Sequence, residues 1–265
     1  MDISLKRAKP LKLSNSETLF AKACKVIPGG TQTFSKAPSQ HVAGVGPSVL
    51  SRGHGAKIWD VDGNEYIDYM LSLGPNILGY ADEDVINAAH EGAKLGVVSS
   101  FAHPLETELA ELLVAKIPCA EMVRFGKNGS DVTTAAIRIA RAYTRRDKVI
   151  VCGYHGWHDW FIGSTTRNLG VPKAVQNLTL HFNYNDIDSL LKVFNENPDD
   201  IAAVILEPVN FVEPKDNFLS KVKSITQDNG AVLIFDEIIT GFRIGLGGAQ
   251  AHYNVTPDLA CFGKA

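Results

Sequence analysis

Three short runs of this 265-residue chain read as strands: Lys148–Cys152, apolar after its lysine, and Ile201–Leu206 and residues 231–235, both apolar without alternation. A strand with one wet face alternates apolar and polar residues, whereas a strand covered on both faces reads as continuously apolar. With helical and loop segments between them, the runs predict an α/β domain on a mainly parallel sheet. The second run ends in Glu207 and Pro208, and the third in Asp236 and Glu237. Ligands of open α/β sheets bind beyond the carboxyl ends of the strands, which makes these acids the first candidates for a site.

At 45% hydrophobic and 21% charged, the composition is that of an ordinary globular protein able to bury a core. A net charge of -3 and scattered basic residues give no electrostatic case for nucleic acid or an anionic membrane surface, so a small-molecule partner is expected. Cys24, Cys119, Cys152 and Cys261 lack the spacing of a zinc knuckle or a disulfide framework, which fits a reducing cytoplasm. Residues 1–13 lack the apolar core of a signal peptide, and Ile201–Leu206 is too short to span a bilayer. Neither targeting nor membrane anchoring is expected.

Ser14 and Glu17 form a capping-box pattern ahead of a helix that Pro28, Gly29 and Gly30 stop. Residues 57–61 and 65–69 flank Asp62 and Gly63, a hairpin signal. Residues 1–75 therefore read as an N-terminal arm helix with an antiparallel hairpin, and residues 76–265 as the domain that carries the sheet. Helical patterns begin at Asp82 and at Pro104, the second placing Leu105, Leu109, Leu112 and Leu113 on one face before Ile117 and Pro118. Residues 122–125 then read as a strand, and residues 131–143 as a helix with Val132, Ala136, Ile139 and Tyr143 inward.

In the loop ahead of that helix, Gly129 permits close backbone approach and Ser130 can cap the helix, whose free N–H groups and dipole favour a phosphate; the plainer reading is a cap with no ligand. Tyr154, His155, Trp157 and His158 gather rings at the same sheet edge, suited to stacking on a flat ligand or to surface packing; His155 with His158 and Asp159 shows no third ligand at suitable spacing, so no metal is expected. Glu207 is either part of the site or a solvated strand end. Asp236, directly after an apolar strand, needs a partner if buried: a protonated pyridine nitrogen, or an arginine such as Arg243. Lys264 reads as a surface lysine by itself. In series with Asp236 and the Gly129-Ser130 helix start, it completes what is needed to hold pyridoxal phosphate through a Schiff base.

Gly129-Ser130-Asp131 ahead of an alanine-rich helix, Tyr154-His155-Gly156, Glu207-Pro208, Asp236-Glu237 with Thr240-Gly241-Phe242-Arg243, and Pro257-Asp258-Leu259 ahead of Gly263-Lys264 stand in a telling order. Together they resemble the class III aminotransferases, fold-type-I pyridoxal-phosphate enzymes, with the glutamate-1-semialdehyde aminomutases the nearest branch. The resemblance runs from about Ser16 to Ala265. It implies pyridoxal 5′-phosphate carried by Lys264, which also moves protons, with the pyridine nitrogen on Asp236 and the phosphate on Gly129 and Ser130. Tyr154 and Ile238 would cover the two ring faces, with Glu207 beside the cofactor. It also implies the large domain of that fold, a homodimeric cytoplasmic enzyme, and amino transfer between a small-molecule amino donor and a carbonyl acceptor.

Two departures from the aminomutase pattern bear on these expectations. Asn128-Gly129-Ser130-Asp131-Val132 replaces the usual Ser-Gly-Thr-Glu-Ala and keeps the glycine, hydroxyl and acid. In residues 31–36, Lys36 stands where the aminomutases carry an arginine for the substrate carboxylate, and a lysine offers a point charge rather than a bidentate fork. Intramolecular amino transfer by an aminomutase is the first alternative. Members of the family continue past the lysine, so the second is an incomplete, non-catalytic chain or binding module.

Overall fold

A computed structural model describes residues 11–41 and 45–265, so most of the basic N-terminal stretch lies outside the described residues. They form two compact units, one reaching to Val98 and one beginning at Ser99.

The first unit holds helices α1 (Ser14–Val26) and α2 (Glu83–Lys94) and strands β1 (Leu50–His54), β2 (Lys57–Asp60) and β3 (Glu65–Ile67). The hairpin expected at Asp62 and Gly63 forms, with Lys57 opposite Ile67 and Trp59 opposite Glu65; β1, not anticipated, adds a third antiparallel strand. The capping box does not form. Leu13 is the N-cap of α1 and supplies no side-chain bond, while the Asp62 carboxylate accepts the N–H groups of Asn15 at 2.9 Å and Ser16 at 2.8 Å. Free helix N–H groups need an acceptor, and a carboxylate complements the positive helix end better than a serine hydroxyl. Helix α2 starts next to the expected Asp82, which is its cap and accepts the Val85 N–H at 3.1 Å.

The second unit alternates helix and strand: α3 (Pro104–Lys116), α4 (Gly129–Thr144), β4 (Lys148–Cys152), α5 (Asp159–Ile162), α6 (Lys173–Gln176), β5 (Thr179–His181), α7 (Ile187–Glu196), β6 (Ile201–Leu206), α8 (Phe218–Asp228), β7 (Val232–Asp236), α9 (Gly248–His252) and β8 (Leu259–Cys261). Its sheet is parallel throughout, in the order β5-β4-β6-β7-β8, with Val151 beside Ile205 and Ile205 beside Ile234. Every residue of β6 and β7 is buried. Leu206, Leu233 and Phe235 face Leu190, Phe194 and Phe218 on one side; Ala203, Ile205 and Ile234 face Ala136 and Ile137 on the other. This two-sided cover is what the unalternating runs require, each fully buried valine, leucine, isoleucine or phenylalanine contributing about 1.5–3 kcal/mol.

Strand order reverses direction between β4 and β6, since β5 lies on the far side of β4 while β6 to β8 extend the other way. The crevice at such a reversal is where open α/β sheets bind ligands.

Two expectations fail. Residues 122–125 form no strand, because no neighbouring strand lies beside them to complete a ladder; Met122 is exposed. In α4 the buried residues are Ser130, Thr133, Ala136, Ile137 and Ala140, while Ile139 and Tyr143 are exposed. The small side chains let the helix close onto the sheet, so packing distance overrode hydrophobicity in choosing the face.

Candidate active site

The ends of β4, β6, β7 and β8 and the start of α4 surround one cavity of about 790 Å³. Gly129, Ser130, Tyr154, Glu207, Asp236, Ile238 and Lys264, the residues singled out from the sequence, all line it.

Helix α4 enters through Asn128, whose Oδ1 accepts the Asp131 N–H at 3.1 Å. The cap is thus Asn128 and not Ser130, because the helix begins two residues earlier than its polar sequence suggests. Asparagine and serine cap equally well, so sequence could not choose. Ser130 is freed for another contact: its Oγ accepts the Trp157 N–H at 3.2 Å. The loop after β4 bends through Gly153 and Gly156 at φ +114° and +108°, a left-handed region that favours glycine. A Cβ on Gly156 would overlap Ser130 Oγ, and one on Gly153 would lie 2.5 Å from Glu207 Oε2. The loop is therefore moulded against both elements.

Asp236, 3% exposed, closes β7 rather than following it. Its Oδ1 accepts the Ile238 N–H at 3.1 Å, and its Oδ2 lies 2.7 Å from His155 Nδ1. The partner that a buried Asp236 requires includes a histidine on the neighbouring loop. His158 turns away from His155, with Nδ1 2.8 Å from Thr134 Oγ1 and Nε2 3.8 Å from Asp131 Oδ1, so the two imidazoles serve different partners.

Glu207 is buried at the end of β6 rather than solvated, and its Oε2 accepts the Tyr154 N–H at 3.2 Å and an Asn210 Nδ2–H at 2.7 Å. Burial pushes its carboxyl above the ordinary value, opposed by the Tyr154 N–H and aided by the charge of Asp236. Lys264 donates its backbone N–H to Ile238 O at 3.2 Å. Burial lowers its ammonium pKa, while the charges of Glu207 and Asp236 pull the other way. Ile238 fills the space between two glycines: a Cβ on Gly129 would lie 3.2 Å, and one on Gly263 2.9 Å, from its Cδ1. Tyr154 is exposed and meets Phe161 edge-on at 5.5 Å.

Glu237, the second acid of the pair, turns away from the cavity. It accepts Thr240 Oγ1–H at 2.6 Å, the N–H groups of Ala249 at 2.6 Å and Gln250 at 3.0 Å, and Gln250 Nε2–H at 3.2 Å. It thereby anchors the start of α9. Sequence reading did not assign His155 to Asp236, Asn128 to the cap or Asn210 to Glu207. The rule that a buried acid needs a partner pointed to the first without naming it. Among the described residues no helix is long and apolar enough to cross a membrane.

This arrangement has relatives. The class-III aminotransferase family matches residues 39–265. A glutamate-1-semialdehyde 2,1-aminomutase of Methanosphaera stadtmanae is 43% identical over 267 residues, covering 96% of this chain and 62% of its own length. Among solved structures, an omega-transaminase from Sphaerobacter thermophilus superposes with a TM-score of 0.84 at 32% identity, over 94% of this chain and 60% of that one. A transaminase with PLP bound gives 0.87 at 29% identity, over 96% and 62%. The chain spans about three fifths of the length of the relatives it matches. The fold is that of the fold-type-I pyridoxal-phosphate transferases, and the chain belongs to the class-III aminotransferases.

Proposed function

We propose that this cavity holds pyridoxal 5′-phosphate and that the whole protein moves an amino group between a small-molecule amino donor and a carbonyl acceptor. The observation that carries the reading is the convergence of a half-buried lysine, a buried carboxylate and the start of a 16-residue helix in one cavity. The residues present fit the cofactor. The glycine-moulded wall at Gly129 and Gly156 leaves backbone where a side chain would intrude, and α4 offers N–H groups and its dipole to an anion. Bound there, pyridoxal phosphate supplies an aldehyde for amines and an electron-withdrawing ring.

The protein's own groups do the rest. Lys264 Nζ would hold the cofactor through its aldehyde and would carry the proton, and its lowered pKa keeps the amine neutral over a wider pH range, as a nucleophile and base requires. Asp236, its carboxylate plane fixed by two hydrogen bonds, receives the ring N–H. Gly129 and Ser130 take the phosphate, Tyr154 and Ile238 cover the ring faces, and Glu207 sets the charge beside Lys264. The same reading carries the homodimeric, cytoplasmic full-length enzyme that the family resemblance implies.

Absorbance of the chain with pyridoxal phosphate, before and after borohydride, tests this. A visible band is expected in the wild type, lost on borohydride reduction with the cofactor left covalently attached to the protein, and neither band nor attachment is expected in Lys264→Ala. No band, or the same band in the variant, overturns it.

A second reading, intramolecular amino transfer, is favoured by the 43% identity to an aminomutase, whereas Lys36, in the first unit, lacks the arginine fork. Turnover of one amino-aldehyde to its isomer by the full-length protein, with no second substrate, would select the aminomutase.

A further inference from the structure

Thr134, in the second turn of α4, makes three polar contacts through one hydroxyl. Its Oγ1 lies 2.7 Å from Ser130 O, 2.9 Å from Trp160 Nε1 and 2.8 Å from His158 Nδ1. A hydroxyl has one proton to give and two lone pairs to fill. The Ser130 carbonyl can only accept, so the proton goes there. The Trp160 indole can only donate, so it takes one lone pair. The lone pair that remains meets His158, and that contact is a hydrogen bond when Nδ1 carries a proton. The other ring nitrogen, Nε2, lies 3.8 Å from Asp131 Oδ1, and the Trp157 ring stands edge-on at 5.0 Å.

Asp131 and Thr134, three residues apart, share one face of α4, so the imidazole lies along its first turn. Asp131 Oδ2 accepts the Lys127 N–H at 3.2 Å and an Asn128 Nδ2–H at 3.0 Å, which ties the residues leading into the helix to the same turn. On either side of the imidazole the loop after β4 is fastened to α4 again. The Trp157 N–H donates to Ser130 Oγ at 3.2 Å, and the Thr133 Oγ1–H donates to His155 O at 2.9 Å.

The turn held in this way is the one that reaches the cavity. Asn128 takes the N–H groups of Asp131 and Val132, while those of Gly129 and Ser130 have no acceptor among the described residues. Free N–H groups at a helix start are donors for an anion, and where they aim depends on where the first turn sits. Gly129 and Ser130 line the cavity and His158 does not, so the histidine acts on it only through α4.

We propose that His158 is a positioning residue: it donates its Nδ1 proton to Thr134, pins the first turn of α4 to the loop after β4, and so aims the Gly129 and Ser130 N–H groups at the phosphate of the cofactor. The role rests on the cofactor reading above. It predicts a loss confined to the phosphate, because the ring lies against Asp236, Tyr154 and Ile238, none of which His158 touches.

The first test uses the chain labelled with 15N-histidine, without cofactor, at about pH 8, where an unconstrained imidazole is neutral. The His158 signals are assigned by their loss in His158→Asn. A proton on Nδ1 is expected, whether or not Nε2 also carries one. An unprotonated Nδ1 overturns the proposal.

The second test titrates pyridoxal phosphate, and separately pyridoxal, into the wild type, His158→Leu and His158→Asn, each first checked for its thermal midpoint. Leucine should weaken pyridoxal phosphate roughly 3- to 10-fold, as loss of a neutral hydrogen bond does, and leave pyridoxal unchanged. Asparagine, which sets an N–H near the Nδ1 position, should recover most of the affinity. A leucine variant that binds pyridoxal phosphate like the wild type, or one that loses both ligands by the same factor, overturns the positioning role. A wild type that takes up no pyridoxal phosphate removes the cofactor reading instead, and the nitrogen spectrum, which needs neither ligand nor a folded leucine variant, still decides the bond to Thr134.

Discussion

The two units hold their strands by different means. In the second, β6 and β7 show no residue to water, and apolar side chains cover both faces of the sheet. In the first, β1 to β3 are largely exposed, and aspartates tie their turns together. Asp60, 1% exposed, accepts the N–H groups of Asp62 and Asn64, Asn64 Nδ2–H and the Tyr66 hydroxyl. Asp62 holds the start of α1, and Asp68 accepts the Met70 and Ser72 N–H groups and the Tyr80 hydroxyl. Apolar burial is non-directional and indifferent to pH, whereas a carboxylate network is directional and dissolves on protonation. The second unit places its acids at the rim of a core; the first builds with them.

Core truncation is the severest way to probe that contrast. Leu233→Ala in β7 should lower stability by about 2–5 kcal/mol in chemical denaturation. Ile67→Ala in β3, 60% exposed, should stay within about 0.5 kcal/mol. Similar losses at both sites would break the comparison.

Acid should separate the units in the opposite sense. Burial pushes the Asp60 carboxyl up, but hydrogen bonds from Asn64, Tyr66 and Asp62 outweigh it and hold it below its ordinary 3.8. Asp62 is held low by the N–H groups of Asn15 and Ser16, which outweigh its slight desolvation. A carboxyl depressed by folding stabilises above its unfolded value and loses that contribution as pH falls through the folded value. Glu207 is raised above its ordinary 4.5, so its cost to folding is present above the folded value and disappears as pH falls. Hydrogen exchange followed from about pH 6 down to about pH 3 should show β2, β3 and the start of α1 opening while β6 and β7 stay protected. Loss of protection in β6 first would contradict this.

The smallest effect is expected for Asp62→Ala, a half-buried acid whose removal should fray only the first turn of α1, read as faster exchange at Asn15 and Ser16. Unchanged exchange there would mean that water replaces the carboxylate without loss.

The same contrast governs what could be read in advance. Strands β4 and β6 were legible to the residue, and β7 to within one, because continuous apolarity has one stable destination in a globular protein. The Asp62-Gly63 hairpin and the starts at Asp82 and Pro104 were legible because turn and cap chemistry is local. The capping box at Ser14 was misread, since its replacement comes from Asp62, 46 residues from Ser16. The strand at residues 122–125 was misread, since a strand exists only with a partner. The residues gathered at the cavity were legible because strand ends in an α/β sheet converge; the contact of His155 with Asp236, 81 positions away, was not.

By itself, then, the sequence determined which runs are buried, where helices and turns begin, and which polar residues stand at strand ends. Each of these depends on a side chain's own solvation and on near neighbours along the chain. Only the tertiary structure decided that Ala136 and Ala140 rather than Ile139 and Tyr143 face the sheet, that Asn128 rather than Ser130 caps α4, and that a histidine holds Asp236. These depend on how closely two elements approach and on which donor the packing leaves beside a buried charge, quantities that belong to pairs of segments distant in sequence.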